Sequence, residues 1–372
     1  MIKVFIITER RADYSRFKPI LDLIINDVKL DYVLVVTGAH LKKEMGYTKS
    51  EIIKDGFHIH YEIEMFTEEN DSAATMVRSF SRVANKITYI LEDCKPNLIL
   101  SGFDIGANFA ATIAGAHMNI PVAHIQGGEV TGTIDESIRH AMSKFSHYHF
   151  ASNQDAVDRL IKLGEVPQRI FNVGCPSIDA ILKTKDNPDI LKAFGLKERD
   201  YFIILQHPVT SEFNSSKKQI QITLSAIKKS NINSLIILPN NDAGYSKIIN
   251  ELKSSKIQFI NSLNISEYIN LLKRSIGIIG NSSSGIHETS TFNIPTINIG
   301  TRQNGRLRPK NVIDVDHNEE DIIKAINRCK ILRSKNIFYD NPYGDGNSAE
   351  QIISIIKTID LSPKIIQKQI TY

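Results

Sequence analysis

Short runs rich in Ile and Val alternate along the chain with longer stretches whose apolar residues recur every three or four positions. In the first half, Lys3–Thr8, Tyr32–Thr37, His58–Ile63, Asn97–Ser101, Val122–Gln126, His147–Ala151 and Ile170–Val173 predict strands. Phe17–Ile25, Ala73–Leu91, Ala107–Met118, Ile134–Phe145 and Gln154–Leu163 predict the helices between them. Strands that are apolar almost throughout are buried on both faces, which calls for a parallel sheet covered by helices. The alternation restarts after residue 200. Tyr201–Gln206, Ser234–Pro239, Ile257–Ile260, Ser275–Gly280 and Thr296–Ile299 predict strands. Gln219–Lys228, Ser246–Leu252, Ile265–Lys273 and Ile286–Thr291 predict helices, followed by Asp316–Leu332 and Ser348–Ile359. The chain therefore reads as α/β, with two doubly wound units. The charged segment Lys183–Asp200, with Pro188 and Gly195, marks a boundary near residue 185. The expected division is residues 1–184, residues 185–345, and a C-terminal helical segment, 346–372, that crosses back onto the first unit.

The length of 372 residues fits two domains at about 150 residues each. Apolar residues make up 42% and charged residues 23%, ordinary values for a globular chain. A net charge of +4 is too small to argue for a nucleic-acid partner. No run approaches the roughly 18 apolar residues of a membrane span, and the polar turn after Thr8 makes the first run a strand rather than a signal peptide. Cys94, Cys175 and Cys329 lie far apart, which suits free thiols in a reducing, cytoplasmic setting and not a zinc site. His58 and His60 have no acidic partner at ligand spacing, so no metal is expected. Of His147 and His149, one is expected to be buried and hydrogen-bonded.

In doubly wound sheets ligands bind beyond the carboxyl ends of the strands, and polar, glycine-rich loops stand at several of those ends. Arg10-Arg11-Ala12-Asp13-Tyr14-Ser15-Arg16 puts three arginines at a helix start, where a phosphate can sit; Asp13 or Ser15 would serve equally as a plain cap. Asp104 follows a buried strand. In Gln126-Gly127-Gly128-Glu129-Val130-Thr131-Gly132-Thr133-Ile134-Asp135-Glu136, paired glycines allow a tight turn. Glu129, Asp135, Glu136, Arg139 and His140 then crowd into a dozen residues. Neighbouring carboxylates in a half-dry cleft have raised pKa values, which suits a general base or acid. Asp135 and Arg139 are four apart on a helix and can pair. His207 precedes Pro208 at another strand end. Asn240 lies in a turn that ordinary turn chemistry explains. Asn281-Ser282-Ser283-Ser284-Gly285 offers three hydroxyls at a helix start, with Glu288 one turn on. Arg302, Arg306 and Arg308 follow the next strand. The absence of Gly-x-Gly-x-x-Gly and of a Gly-Lys-Ser/Thr loop argues against a dinucleotide oxidoreductase and a P-loop ATPase.

As an ordered set, Arg11-Ala12-Asp13-Tyr14-Ser15, Thr37-Gly38-Ala39-His40, Gly102-Phe103-Asp104, Gly127-Gly128-Glu129 with Gly132 to His140, His207-Pro208-Val209-Thr210, Asn281 to Gly285 and Gly300-Thr301-Arg302-Gln303 resemble the hydrolysing UDP-N-acetylglucosamine 2-epimerases of sialic and related acid synthesis. The resemblance implies two Rossmann-like domains facing across a cleft, a glycosyltransferase-B-like fold. The first domain would carry the sugar and the catalysis, and the second would bind UDP. It also implies elimination of UDP from UDP-N-acetylglucosamine through 2-acetamidoglucal, then addition of water to give N-acetylmannosamine. Asp104, Glu129, Asp135 and His207 would be catalytic. Arg11, Ser15, His40, Gln126, Arg139, Asn240, Ser282, Ser283, Ser284, Glu288 and Arg302 would bind substrate. No cofactor is implied, and a homodimer or homotetramer is the expected assembly. The chain departs from the family pattern at Gln126, where many members have Glu, and at Ile105, where an arginine is common. Because a neutral amide cannot be a base, that role would fall to Asp104, Asp135 or Glu129. The same reaction on UDP-N,N′-diacetylbacillosamine, a glycosyltransferase of this architecture, and an inactive nucleotide-sugar sensor stay open as alternatives.

Overall fold

A computed structural model describes residues 1–68, 72–103, 106–239 and 244–372. In the first lobe the strands are β1 (Ile2–Thr8), β2 (Leu30–Thr37), β3 (Tyr61–Ile63), β4 (Leu98–Gly102), β5 (Val122–Ile125), β6 (Tyr148–Ala151) and β7 (Ile170–Asn172). The helices α1 (Arg11–Ile24), α2 (Lys49–Lys54), α3 (Ala73–Cys94), α4 (Gly106–His117), α5 (Asp135–Phe145) and α6 (Gln154–Lys162) accompany them, and α7 (Pro176–Leu182) leads on to the second lobe, with Ile178 and Ile181 in that lobe's core. In the second lobe the strands are β8 (Tyr201–Leu205), β9 (Asn233–Ile237), β10 (Phe259–Ile260), β11 (Gly277–Gly280), β12 (Thr296–Ile299) and β13 (Val312–Val315). Its helices are α8 (Ile190–Ala193), α9 (Ser216–Lys229), α10 (Tyr245–Ser254), α11 (Ile265–Arg274), α12 (Ser284–His287) and α13 (Glu319–Lys335), and α14 (Ser348–Ile356) closes the order.

Both sheets are parallel, ordered β3-β2-β1-β4-β5-β6-β7 and β10-β9-β8-β11-β12-β13. The order reverses between β1 and β4 in the first and between β8 and β11 in the second. At such a switch point the loops leave in opposite directions and open a crevice. Burial on both faces holds each sheet. Val4, Ile6, Leu34 and Leu100 pack on one side of the first sheet, and Phe5, Ile7, Val35 and Ile99 on the other. Close packing inside the second lobe needs glycine at residue 280, because a Cβ there would lie 2.1 Å from the Leu205 carbonyl oxygen.

The chain passes between the lobes twice, side by side. Cys175 N–H donates to the Tyr343 carbonyl at 2.7 Å, and Gly174 packs against Gly344. Beyond the second crossing, Ala349, Ile352, Ile353 and Ile356 of α14 join the core of the first lobe. The buried Asp179 of α7 accepts the Ser348 and Ala349 N–H groups at 3.1 and 2.8 Å, filling donors that a helix start leaves unpaired.

Several boundaries differ from those predicted. α1 begins at Arg11, six residues before its apolar stripe, because the Asp13 carboxylate accepts the N–H groups of Glu9 and Arg10 and closes the polar first turn. The strand expected from His58 begins at Tyr61. The helix expected over Ile286–Thr291 is α12 followed by a separate 3₁₀ turn, Thr289–Phe292. β13 is a half-exposed edge strand and gives no apolar run. Both His147 and His149 are buried, correcting the expectation of one. His147 accepts the Val122 N–H at 3.0 Å, and His149 lies 3.0 Å from the buried Glu165. Replacing Asp179 leaves two buried N–H groups without an acceptor. Asp179→Ala is expected to lower the unfolding free energy by about 1–3 kcal/mol, read from chemical denaturation.

Candidate active site

The two switch points face each other, and between them lies a cavity of about 330 Å³. The loop after β1 and the start of α1 supply Arg10, Arg11, Ser15 and Arg16 from the first lobe. His207, the serine turn, Arg302 and Arg306 come from the second. One flank is apolar, with Ile237, Leu238, Pro239, Leu263 and Ile265, and carries Tyr268. Arginines from both lobes beside an apolar shelf suit an anionic ligand with a flat, uncharged part.

The resources of the first loop are divided. Asp13 is fully buried and spent on the backbone of Glu9 and Arg10 and on the Thr8 hydroxyl, so it is a cap. Arg11 lines the cavity, and its Nη1 is buried with no hydrogen-bond partner among the described residues. Burial lowers its pKa, against the raising effect of Glu51 and Glu267. Ser15 also lines the cavity. His40 does not. It is sealed behind the loop, 3.0 Å from the Thr8 hydroxyl and 2.6 Å from that of Thr48. Burial and the nearby Arg11 push its pKa down to about 3, so it is a neutral strut.

The glycine turn after β5 separates residues that the sequence groups together. Asp135, the first residue of α5, lines the cavity. Glu129 does not. It is buried, accepts the Gln126 Nε2–H at 2.9 Å and the Ser152 hydroxyl, and meets His287 Nε2 of the other lobe at 3.2 Å. Arg306 Nε stands 3.9 Å away. Burial raises the Glu129 pKa, but His287, Arg306 and Arg139 more than offset it and hold the carboxyl well below its usual range. Burial pushes His287 down to about 4, so near neutrality a neutral imidazole N–H faces an ionised carboxylate. Gln126 and Arg139 stand off the cavity too: Gln126 accepts from Arg16, and Arg139 Nη1 donates to the Glu129 carbonyl at 3.2 Å.

In the second lobe, the Asn281 side chain accepts the His207 N–H at 2.7 Å and donates to the His207 carbonyl at 2.9 Å, clamping the end of β8 to the end of β11. Burial, with Arg302 and Arg10 nearby, keeps His207 neutral, its pKa well below the usual value. Ser282, Ser283, Ser284 and Glu288 all line the cavity. Ser284 donates to Glu288 at 2.5 Å and also meets the Tyr268 hydroxyl. Burial raises the Glu288 pKa. Arg302 Nη1 donates to the Asn281 carbonyl at 3.2 Å. Asp104 and Asn240 lie outside the described residues.

A seam of backbone contacts joins the lobes beside Glu129. The Arg302 carbonyl accepts the Gly132 N–H at 3.1 Å and the Thr131 hydroxyl at 2.9 Å, and Arg306 Nε donates to the Val130 carbonyl at 3.1 Å. Only glycine fits at residue 132, where a Cβ would lie 1.9 Å from the Thr301 carbonyl oxygen. Sequence reasoning did not single out Tyr245, Lys253 or Tyr268, which sit within helices. Their place near the carboxyl ends of β9 and β10 was the available signal.

Residues 24–357 match the family described as UDP-N-acetylglucosamine 2-epimerase. The UDP-N,N′-diacetylbacillosamine 2-epimerase (hydrolyzing) of Legionella pneumophila is 35% identical over 98% of both chains. The UDP-N-acetylglucosamine 2-epimerase of Neisseria meningitidis is 32% identical over 88% of each. In fold, the chain superimposes on the UDP-GlcNAc 2-epimerase of Methanocaldococcus jannaschii, solved in complex with UDP-GlcNAc and UDP. The TM-score is 0.82, at 21% identity, with 96% of this chain and 99% of that one covered.

The buried histidines set a pH dependence. Folding holds His40 at about 3 and His147 and His287 at about 4, whereas an unfolded histidine titrates near 6.5. Between those values the unfolded chain binds more protons, so this stability is complete above about 6.5 and is lost as pH falls toward 4. Each histidine contributes a slope of up to about 1.4 kcal/mol per pH unit. Unfolding measured at a series of pH values is expected to show this decline, and His287→Gln is expected to flatten it by up to that amount. An unchanged slope in His287→Gln would mean that His287 is charged in the folded protein.

Proposed function

The chain belongs to the UDP-N-acetylglucosamine 2-epimerase family, and from that premise we propose that it is a hydrolysing 2-epimerase of a UDP-linked 2-acetamido sugar. The observation that carries this reading is the cavity itself, where Asp135 of one lobe and the arginine- and serine-lined wall of the other share one space. Uracil would lie on the apolar shelf, Glu288 would accept from ribose hydroxyls, and Arg11, Ser282, Ser283 and Arg302 would meet the diphosphate. The sugar would then point toward Asp135 and His207.

The reaction is redox-neutral and needs no hydride carrier. A carboxylate takes the C2 proton, the C1–O pair leaves with UDP, and a C1=C2 double bond remains. Water then delivers hydroxyl to C1 and a proton reaches C2 from the opposite face. The balance is UDP-sugar plus water giving UDP and the C2-inverted sugar. Charge builds on the departing diphosphate, and fixed arginines stabilise it. Asp135 is assigned to proton transfer at C2, and the resemblance assigns Asp104 as its partner. Glu129, ionised and enclosed by donors, is a weak base and takes no part in the transfer. Neutral His207 serves as a hydrogen-bonding group. The end-to-end match to the Legionella protein favours UDP-N,N′-diacetylbacillosamine as the substrate, with UDP-N-acetylglucosamine second.

The test incubates the protein with each UDP-sugar in deuterated water. The expected result is free UDP and an inverted sugar carrying one deuterium at C2. UDP release without deuterium would favour a transferase or simple hydrolase, and UDP-sugar binding without turnover would favour a sensor. Asp135→Asn is expected to lower kcat by at least about 100-fold while UDP affinity stays within about threefold. Loss of UDP binding in that variant would move Asp135 out of the chemistry.

A further inference from the structure

Gln126 has a left-handed backbone, φ 62°, although it is not glycine. Such a conformation strains a residue with a side chain, and glycine would hold the same turn at lower cost. The Gln126 N–H donates to the Phe150 carbonyl at 2.8 Å, which fixes the side chain in the buried space between α1 and the glycine turn. There its oxygen accepts from Arg16 Nη1 at 3.0 Å and its nitrogen donates to Glu129 at 2.9 Å. A guanidinium only donates and an ionised carboxylate only accepts, so a neutral amide in this orientation satisfies both neighbours. A hydrocarbon side chain would satisfy neither. Glu129 is in turn held by His287 and Arg306 of the second lobe, and Arg16 lines the cavity with its guanidinium carbon 4.8 Å from the Phe103 ring centre.

We propose that Gln126 is a positioning residue that couples the seated lobes to Arg16, presenting that guanidinium to the diphosphate of the bound nucleotide. The inference rests on the UDP-sugar reading above. It gives the departure from glutamate at residue 126 a use, since the amide bridges arginine and carboxylate without adding a second buried negative charge.

Calorimetry with UDP tests it. Gln126→Leu is expected to weaken UDP binding about tenfold and to raise KM more than it lowers kcat. Gln126→Met serves as the second variant should leucine unfold the turn. In an Arg16→Met background the same change is expected to cost less than about twofold more, because the residue it acts through is gone. Unchanged UDP affinity in the Gln126 variants, or losses that simply add to that of Arg16→Met, would overturn the proposal. Absence of UDP binding by the unaltered protein would overturn the UDP-sugar reading along with it, whereas binding that ignores residue 126 overturns this inference alone.

Discussion

One buried negative charge organises the meeting of the lobes. An ionised carboxylate out of water is costly unless donors surround it, and the donors around Glu129 come from both lobes. Gln126 and Ser152 belong to the first; His287 and Arg306 belong to the second. Separating the lobes would leave that carboxylate short of partners, so the charge favours the arrangement in which the two switch points share a cavity. The backbone seam of Val130, Thr131 and Gly132 on Arg302 and Arg306 lies beside it. Asp135 begins the next helix, three residues after Gly132, so the contact that closes the lobes also sets where an acid stands in the cavity.

Most of the fold was legible because it rests on short-range chemistry. Val4–Ile7 and Tyr201–Leu205 are apolar on both faces of a pleat and can be little else than central parallel strands. β13 was hidden because an edge strand half in water carries no such signal. The start of α1 was hidden because the Asp13 carboxylate, and not an apolar stripe, makes its first turn. The site divides along the same line. The serine turn, Arg11, Ser15, Arg302 and Asp135 follow from the rule that ligands gather at strand ends, and all line the cavity. His40, Gln126, Glu129 and Arg139 stand near the same strand ends but turn away from the cavity. Which way a side chain faces after a glycine turn depends on partners more than a hundred residues distant. Glu129 shows this most sharply. Crowding in sequence implied a raised pKa, whereas donors from the other lobe lower it.

The site is built as a division of labour between rigid parts. The second lobe offers fixed hydroxyls, arginines and an apolar shelf, with the Asn281 clamp holding two strand ends in register. The first lobe offers an acid at a helix start and arginines on a capped loop. Neither half encloses the cavity alone.

The paired crossings of the chain fix what kind of motion is open to the lobes. The segments near Gly174 and Tyr343 lie against each other, joined through Cys175, and α14 is tied to α7 by Asp179 and seated in the first lobe by its isoleucines. A single tether would let one half swivel freely against the other. Two adjacent strands of covalent chain act as a pair of hinge pins, resisting torsion while leaving one axis of bending. That restraint on twisting keeps Arg302 and the serine turn opposite Asp135 across the cavity.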